Sequence, residues 1–290
     1  MKDQVDAAQQ ANAGKFSDPF VTAKGEDRAS VSLTNPETLW FNTGTLCNIE
    51  CENCYILSSP SNDALVYLTT QEVEDYLDQL ETRNWNVREI AFTGGEPFMN
   101  PNMCDMTRAA LSRGYDVLIL TNAMRPMMRK SIREELSSLI SEYRDKLTLR
   151  ISLDHWSPEV HDKERGKDAF AKTIEGMLWL RDQEANMAVA GRSVWAESDA
   201  SARDGIEVPE ITTSCWGILD KSPDAIMCSS SRMVVKRKGA DKPAVLACTL
   251  LAYSPEFELG ETLEEAERDV QLNHPHCAKF CVLGGASCSA

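Results

Sequence analysis

Apolar and polar positions along this chain switch between two periods. "TLWFNTG" (38–44) is a short, nearly continuous apolar run, the pattern of a strand covered on both faces. "TTQEVEDYLDQL" (69–80) changes to helical spacing, with Val73, Tyr76, Leu77 and Leu80 on one face. Thr69 and Glu72 predict a capping box at its start. The exchange then repeats. Strands are predicted at "REIAFTGG" (88–95), "YDVLILTN" (115–122), "KLTLRISLD" (146–154) and "NMAVAG" (186–191). Helices are predicted at 102–113, stopped by Gly114, at "RKSIREELSSLISEY" (129–143) and at "AFAKTIEGMLWLRDQ" (169–183). Strands alternating with helices predict βαβ units and a parallel sheet.

The pattern loosens after residue 191. Residues 192–225 have no clean period, with room for a sixth strand at 211–219. "AIMCSSSRMVVKRKGADKPAVLACTLL" reads as a hairpin turning near Gly239, followed by a helix at 261–270 and a cysteine-rich tail. Residues 1–35 are polar and aperiodic. The predicted division is a flexible tail (1–35), an α/β domain (36–222) and a small cysteine-rich domain (223–290).

Composition narrows the class. The chain is 42% hydrophobic and 26% charged, as in soluble globular proteins. It has no apolar run of about 18 residues, so no transmembrane helix is expected, and the first twenty residues lack a signal-peptide core. A cytoplasmic protein is expected. The net charge of −15 argues against nucleic acid or an anionic membrane as partner.

Ten cysteines are the outlying feature. In a reducing compartment they are not expected to be disulfides. Cys47, Cys51 and Cys54 lie within eight residues, and Cys277, Cys281 and Cys288 close the chain, with Cys228 and Cys248 between. Such clustering favours metal. Cys104 and Cys215 stand alone and read as buried apolar residues. Three thiolates can hold three irons of a cubane cluster and leave the fourth iron open. A zinc site with a distant fourth ligand is the alternative.

The CX3CX2C spacing of Cys47, Cys51 and Cys54 after a first strand resembles the radical S-adenosylmethionine (SAM) superfamily. "FTGGEP" (92–97) and "SLDHWSPEVHDKERG" (152–166), in that order and at strand ends, strengthen the resemblance. It implies a partial (β/α)6 TIM-like barrel with parallel strands, and a [4Fe–4S] cluster whose open iron chelates SAM. Gly94, Gly95 and Glu96 would then lie at SAM's amino group. Asn122 would supply a polar contact, and Ser152 would face the ribose with Asp154 beside it. The position before the third cysteine, often aromatic in the superfamily, is Asn53 here, and Tyr55 follows the cysteine. Contact from residue 53 to adenine is expected through backbone. His161, Asp162 and Arg165 are expected to fasten the following loop. His155 replaces the usual glycine and is read as facing solvent.

The C-terminal cysteines resemble the twitch form of the SPASM-type auxiliary domain, which implies one further [4Fe–4S] cluster. Cys228, Cys248, Cys277 and Cys281 are the expected ligands, with Cys288 as the alternative, and a zinc knuckle as the competing reading. His274 and His276 are less favoured ligands. The run "RMVVKRKGADK" (232–242) is expected to be a solvated tip. Its alternative is a docking patch for an acidic reductase or an anionic substrate.

The expected function is an enzyme that reductively cleaves SAM and abstracts a hydrogen atom from an organic substrate, the electron coming from a flavodoxin- or ferredoxin-type reductant. A small-molecule substrate is preferred, because only some 35 residues precede the first strand where peptide-modifying members often carry a leader-binding domain. A maturase of a ribosomally made peptide is the alternative. A non-catalytic iron–sulfur or zinc protein is the alternative of another class.

Overall fold

The computed structural model describes residues 14–83, 85–191 and 208–284. The chain packs as two compact units. The larger takes Pro36–Arg192 and Ser231–Ala266, and the smaller takes the described residues of Met1–Asn35, Ser193–Ser230 and Glu267–Ala290.

The larger unit is built on one eight-stranded sheet. Its strands are β1 (Thr38–Asn42), β2 (Glu89–Thr93), β3 (Asp116–Thr121), β4 (Leu147–Ser152), β5 (Asn186–Ala190), β6 (Ser231–Val235), β7 (Ala244–Leu246) and β8 (Glu258–Gly260). Their spatial order is β5-β4-β3-β2-β1-β6-β7-β8. β1 to β6 are mutually parallel, and β7 and β8 are antiparallel additions. The helices are α1 (Thr70–Thr82), α2 (Met103–Ser112), α3 (Lys130–Tyr143), α4 (Pro158–Arg165) and α5 (Ala169–Asp182). The mixed α/β architecture with a mostly parallel sheet is the one expected.

Local chemistry explains these elements. Thr69 caps α1, with its hydroxyl accepting from the Glu72 N–H while the Glu72 carboxylate accepts from the Thr69 N–H. The buried face of α1 is Val73, Tyr76, Leu77 and Leu80, as its spacing predicts. Every residue of β1 is buried. Phe41 stacks on Phe92 at 5.7 Å and meets Tyr76 edge-on at 6.2 Å, which ties β1, β2 and α1 into one core. Full burial of each such side chain is worth roughly 1.5–3 kcal/mol.

Several expectations change. The segment 211–219 is no strand: Cys215–Leu219 is a short helix. The sixth parallel strand is β6, from the predicted hairpin, and it lies beside β1 rather than beyond β5. Its sequence "SRMVV" is wholly buried, including Arg232, because the strand is covered on both faces. The hairpin therefore extends the main sheet instead of standing with the terminal cysteines. The helix expected at 261–270 is replaced by a 3-10 turn at Glu265–Glu267 and a two-residue strand, Val270–Gln271.

That strand pairs antiparallel with Ser30–Val31 in the smaller unit. From residue 14 the polar N-terminal stretch is thus tied down, and polar chemistry does it. The Arg28 side chain, fully buried, donates to the carbonyls of Asp18, Val21 and Leu272 and pairs with Glu210 at 2.6 Å. The Glu210 carboxylate also accepts from the N–H groups of Phe16 and Ala23. Burial opposes its charge, but these donors prevail and hold it below the usual glutamate range. No described helix is long and apolar enough to cross a membrane.

Candidate active site at the cysteine loop

Because β1 to β4 are parallel, the segments that leave them all emerge at one edge of the sheet. After β1 comes the cysteine loop. Cys47 is buried, and its N–H donates to the Ser59 carbonyl at 3.0 Å. The Cys51 carbonyl accepts from Cys54 N, and the Cys54 Sγ accepts from Ser58 N at 3.3 Å.

After β2 comes Gly94-Gly95-Glu96. The Gly95 N–H donates to Gly44 O at 2.8 Å, and the Glu96 N–H to Leu46 O at 3.1 Å. A Cβ on Gly94 would lie 2.5 Å from Gly44 O, and one on Gly95 would overlap the Leu46 carbonyl. Both glycines are required for backbone to lie against the cysteine loop itself, one residue from Cys47. The close approach these glycines allow is to the loop that carries the thiols.

The Glu96 carboxylate is 2% exposed. It accepts from the Thr121 hydroxyl (2.8 Å), the Asn122 N–H (2.8 Å) and the Phe98 N–H (3.2 Å). Burial pushes its pKa up to about 7 against the pull of those donors and of Arg165. Three of about four acceptor positions are taken, which leaves room for one more donor.

After β3 comes Thr121-Asn122-Ala123. Ala123 sits at φ 56°, and the turn is held by the Thr121 hydroxyl on Ala123 N and the Asn122 amide oxygen on Met124 N. The Asn122 Nδ2 reaches Asn48 Oδ1 at 3.0 Å and the Cys47 Sγ at 3.9 Å. Gly176 of α5 lets that helix press on the Ala123 carbonyl, and the Thr173 hydroxyl donates to Asn122 O.

After β4 comes Ser152-Leu153-Asp154. Ser152 is half-buried at the strand end. Both Asp154 oxygens are engaged by Arg165, at 2.6 Å and 3.3 Å. That fork occupies the carboxylate expected beside the ribose. α4 was not foreseen. Ser157-Pro158 before it and Gly166 after it are the start and stop signals, but only His161 is buried, so no apolar stripe announced it. Its last turn grips the cysteine loop. Glu164 O accepts from Glu52 N, and the Glu164 carboxylate takes Asn53 N (3.0 Å) and Asn53 Nδ2 (2.7 Å). The Asn53 N–H is thereby used within the protein, leaving its carbonyl for any purine. Tyr55 is about half exposed.

Of the three residues expected to fasten the following loop, Asp162 does so, accepting from Asp168 N and Phe170 N. His161 is wholly buried against Phe170. Arg165 instead turns to Asp154 and Cys51. His155 takes a local role, with Nδ1 accepting the Ser157 N–H at the start of α4.

Cys47 and Cys51 disfavour bare charge. Burial pushes Cys47 up to about 12, with Glu96, Cys51 and Cys54 adding to it. Burial pushes Cys51 up to about 11, and Arg165 alone among its neighbours pulls the other way. One buried and two half-buried thiols set so close would repel one another as thiolates, and a cationic iron core would neutralise all three. Among the described residues no three His, Cys, Asp or Glu groups converge on a single-ion site. Cubane ligands are spread around the cluster and do not converge on one point.

In the smaller unit, Cys277 is pushed up by burial and further by Cys228 and Cys281, so these three thiols lie together. The His274 Nδ1 accepts from His276 N. Cys248 follows β7 in the larger unit, and Cys288 lies outside the described residues. Cys104 is buried in α2, and the Cys215 Sγ sits 3.4 Å from Thr212 N.

Comparison with known proteins agrees with this arrangement. The description "Radical SAM superfamily" matches residues 41–189. The antilisterial bacteriocin subtilosin biosynthesis protein AlbA of Bacillus subtilis is 32% identical over 162 residues, 54% of this chain and 34% of that one. Mycofactocin maturase MftC of Mycobacterium ulcerans is 28% identical over 159 residues, 55% of this chain and 38% of that one. This chain thus spans little more than a third of these curated relatives. The structure of native anSMEcpe with bound AdoMet matches at a TM-score of 0.54 and 15% identity, covering 82% of each chain, a likeness of fold.

Proposed function

Since the chain belongs to the radical SAM superfamily, we propose that it cleaves SAM reductively and abstracts hydrogen from a carbon of a peptide substrate. The observation that carries the reading is the convergence at one sheet edge of the three-cysteine loop, the Gly-Gly-Glu segment packed on it, and Asn122 against the Cys47 sulfur. Cys47, Cys51 and Cys54 would hold the SAM cluster. When bound, the cluster and SAM supply an electron and a carbon-centred oxidant for hydrogen abstraction.

The chain's own groups hold and orient. The remaining acceptor position of Glu96 suits an ammonium group. The Asp154–Arg165 fork fixes a cation beside Cys51, and Glu164 fixes the loop through Asn53. Ser152 is placed to meet a ribose hydroxyl. In the smaller unit, Cys228, Cys277 and Cys281 would contribute to one auxiliary cluster.

The peptide reading replaces the small-molecule preference. Its support is the relatives' names, a bacteriocin biosynthesis protein and a maturase. The test is anaerobic incubation of the iron-loaded protein with SAM and dithionite. 5′-Deoxyadenosine is expected from the wild type and not from Cys51→Ala. Absence of that product with clusters intact would overturn the enzyme reading. Deuterated host extract, split into peptide and small-metabolite fractions, tests the substrate. Deuterium should enter 5′-deoxyadenosine from the peptide fraction, and entry only from the other fraction would return the reading to a small molecule.

A further inference from the structure

Two groups of cations outside the cysteine site differ in their partners. On the hairpin tip each one has a partner. Lys236 pairs with Glu72 (2.6 Å), Lys238 with Asp63 (2.5 Å), Lys242 with Glu261 (3.3 Å) and Arg237 with Glu258. Arg232 is buried and donates to the carbonyls of Ser231 and Ala266. The tip is a neutralised surface and a poor dock for an acidic protein.

The second group is different. A cavity of about 640 Å³ lies beside the cysteine loop. One wall is Asn48, Ile49 and Glu50; the other carries Arg125, Arg129, Lys167 and Lys172. Among the described residues no carboxylate pairs with any of these four cations. Arg129 is held in place by the carbonyls of Pro126 and Phe98. In a chain of net charge −15, this is a local reversal of sign. Such a patch steers an acidic partner.

The position of the cavity selects the kind of partner. None of the three cysteines lines it, nor do Glu96, Asn122 or Ser152. Its wall is the stretch between Cys47 and Cys51. Asn48, which lines it, has its amide oxygen 4.0 Å from the Cys47 Sγ, and Arg165, also lining it, stands beside Cys51. A substrate seated there would not meet the reaction face. An electron donor needs nearness alone.

We propose that this basic cavity docks an acidic one-electron carrier protein of the flavodoxin or ferredoxin type. The proposal rests on the radical SAM reading. The reduced carrier loses one electron, the oxidised cluster gains it, and no atom or proton passes between the proteins. The cations at the rim set the encounter, and the Cys47–Cys51 segment is the path.

The test is fluorescence anisotropy of a labelled acidic flavodoxin titrated with the iron-loaded protein at low and moderate salt. Arg125→Glu with Lys172→Glu is expected to weaken binding about tenfold or more and to flatten its salt dependence. Dithionite-driven 5′-deoxyadenosine formation and the KM for SAM should stay at wild-type values, while flavodoxin-driven formation falls. Unchanged flavodoxin binding in the variant overturns the proposal. So does a raised KM for SAM, which would give the cavity to SAM, or displacement of flavodoxin by an acidic peptide that is itself turned over, which would give it to substrate. If the wild type makes no 5′-deoxyadenosine even with dithionite, the catalytic reading fails, and the binding titration still decides the docking site.

Discussion

At the scale of single residues, the glycines of the Gly-Gly-Glu segment are the sharpest determinants. The sequence shows two adjacent glycines at a strand end. It does not show what they approach, because that partner, Gly44 to Leu46, is about fifty positions away. Gly95→Ala is expected to push the cysteine loop outward and to cost about 1–3 kcal/mol by overpacking. Iron content after anaerobic reconstitution should fall with it, and thermal melting checks the stability half. Arg165 was visible in the sequence but not its direction. Eleven residues separate it from Asp154, and only the unforeseen helix turns it toward that carboxylate and Cys51. His155 was read as solvent-facing, and its ring nitrogen serves the backbone of Ser157.

At the scale of elements, legibility followed apolar periodicity. β1 to β4 and helices α1, α2, α3 and α5 were readable because each presents a buried face, whereas β5 was readable from its apolar run alone, since none of its residues is buried. α4 and the Cys215–Leu219 helix were not, since one buries a single histidine and the other is short with no fully buried residue. The start signal of α1, its capping box, is readable. Thr69→Ala, which removes the hydroxyl half of a reciprocal cap and keeps the backbone N–H that donates to Glu72, is expected to cost about 1 kcal/mol in denaturant unfolding. Restoring Ser at that position should recover most of the loss. The sixth parallel strand was missed for a topological reason. A strand's neighbour is set by the whole sheet, and no local pattern in "SRMVV" says that it lies beside β1.

At the scale of the whole molecule, the composition is that of an acidic chain with clustered thiols, and the two compact units cut across the predicted boundaries. The smaller unit is assembled from three separate stretches around the Arg28–Glu210 pair. Its carboxylate is held below its ordinary pKa, so its stabilisation is complete above the unfolded value near ~4.3 and is lost as pH falls through the folded one. Glu210→Gln should therefore melt earlier than wild type at neutral pH, and the gap should close in acid. A gap independent of pH would assign the loss to packing. The pairing of Thr38 with Ser231 has a consequence in time. A ribosome delivers the cysteine loop long before the strand that completes its side of the sheet. β1 stays an edge until residue 235 has emerged, and non-local pairing of this span is slow to form. The cysteine loop is thus made early, while the sheet beneath it is completed late.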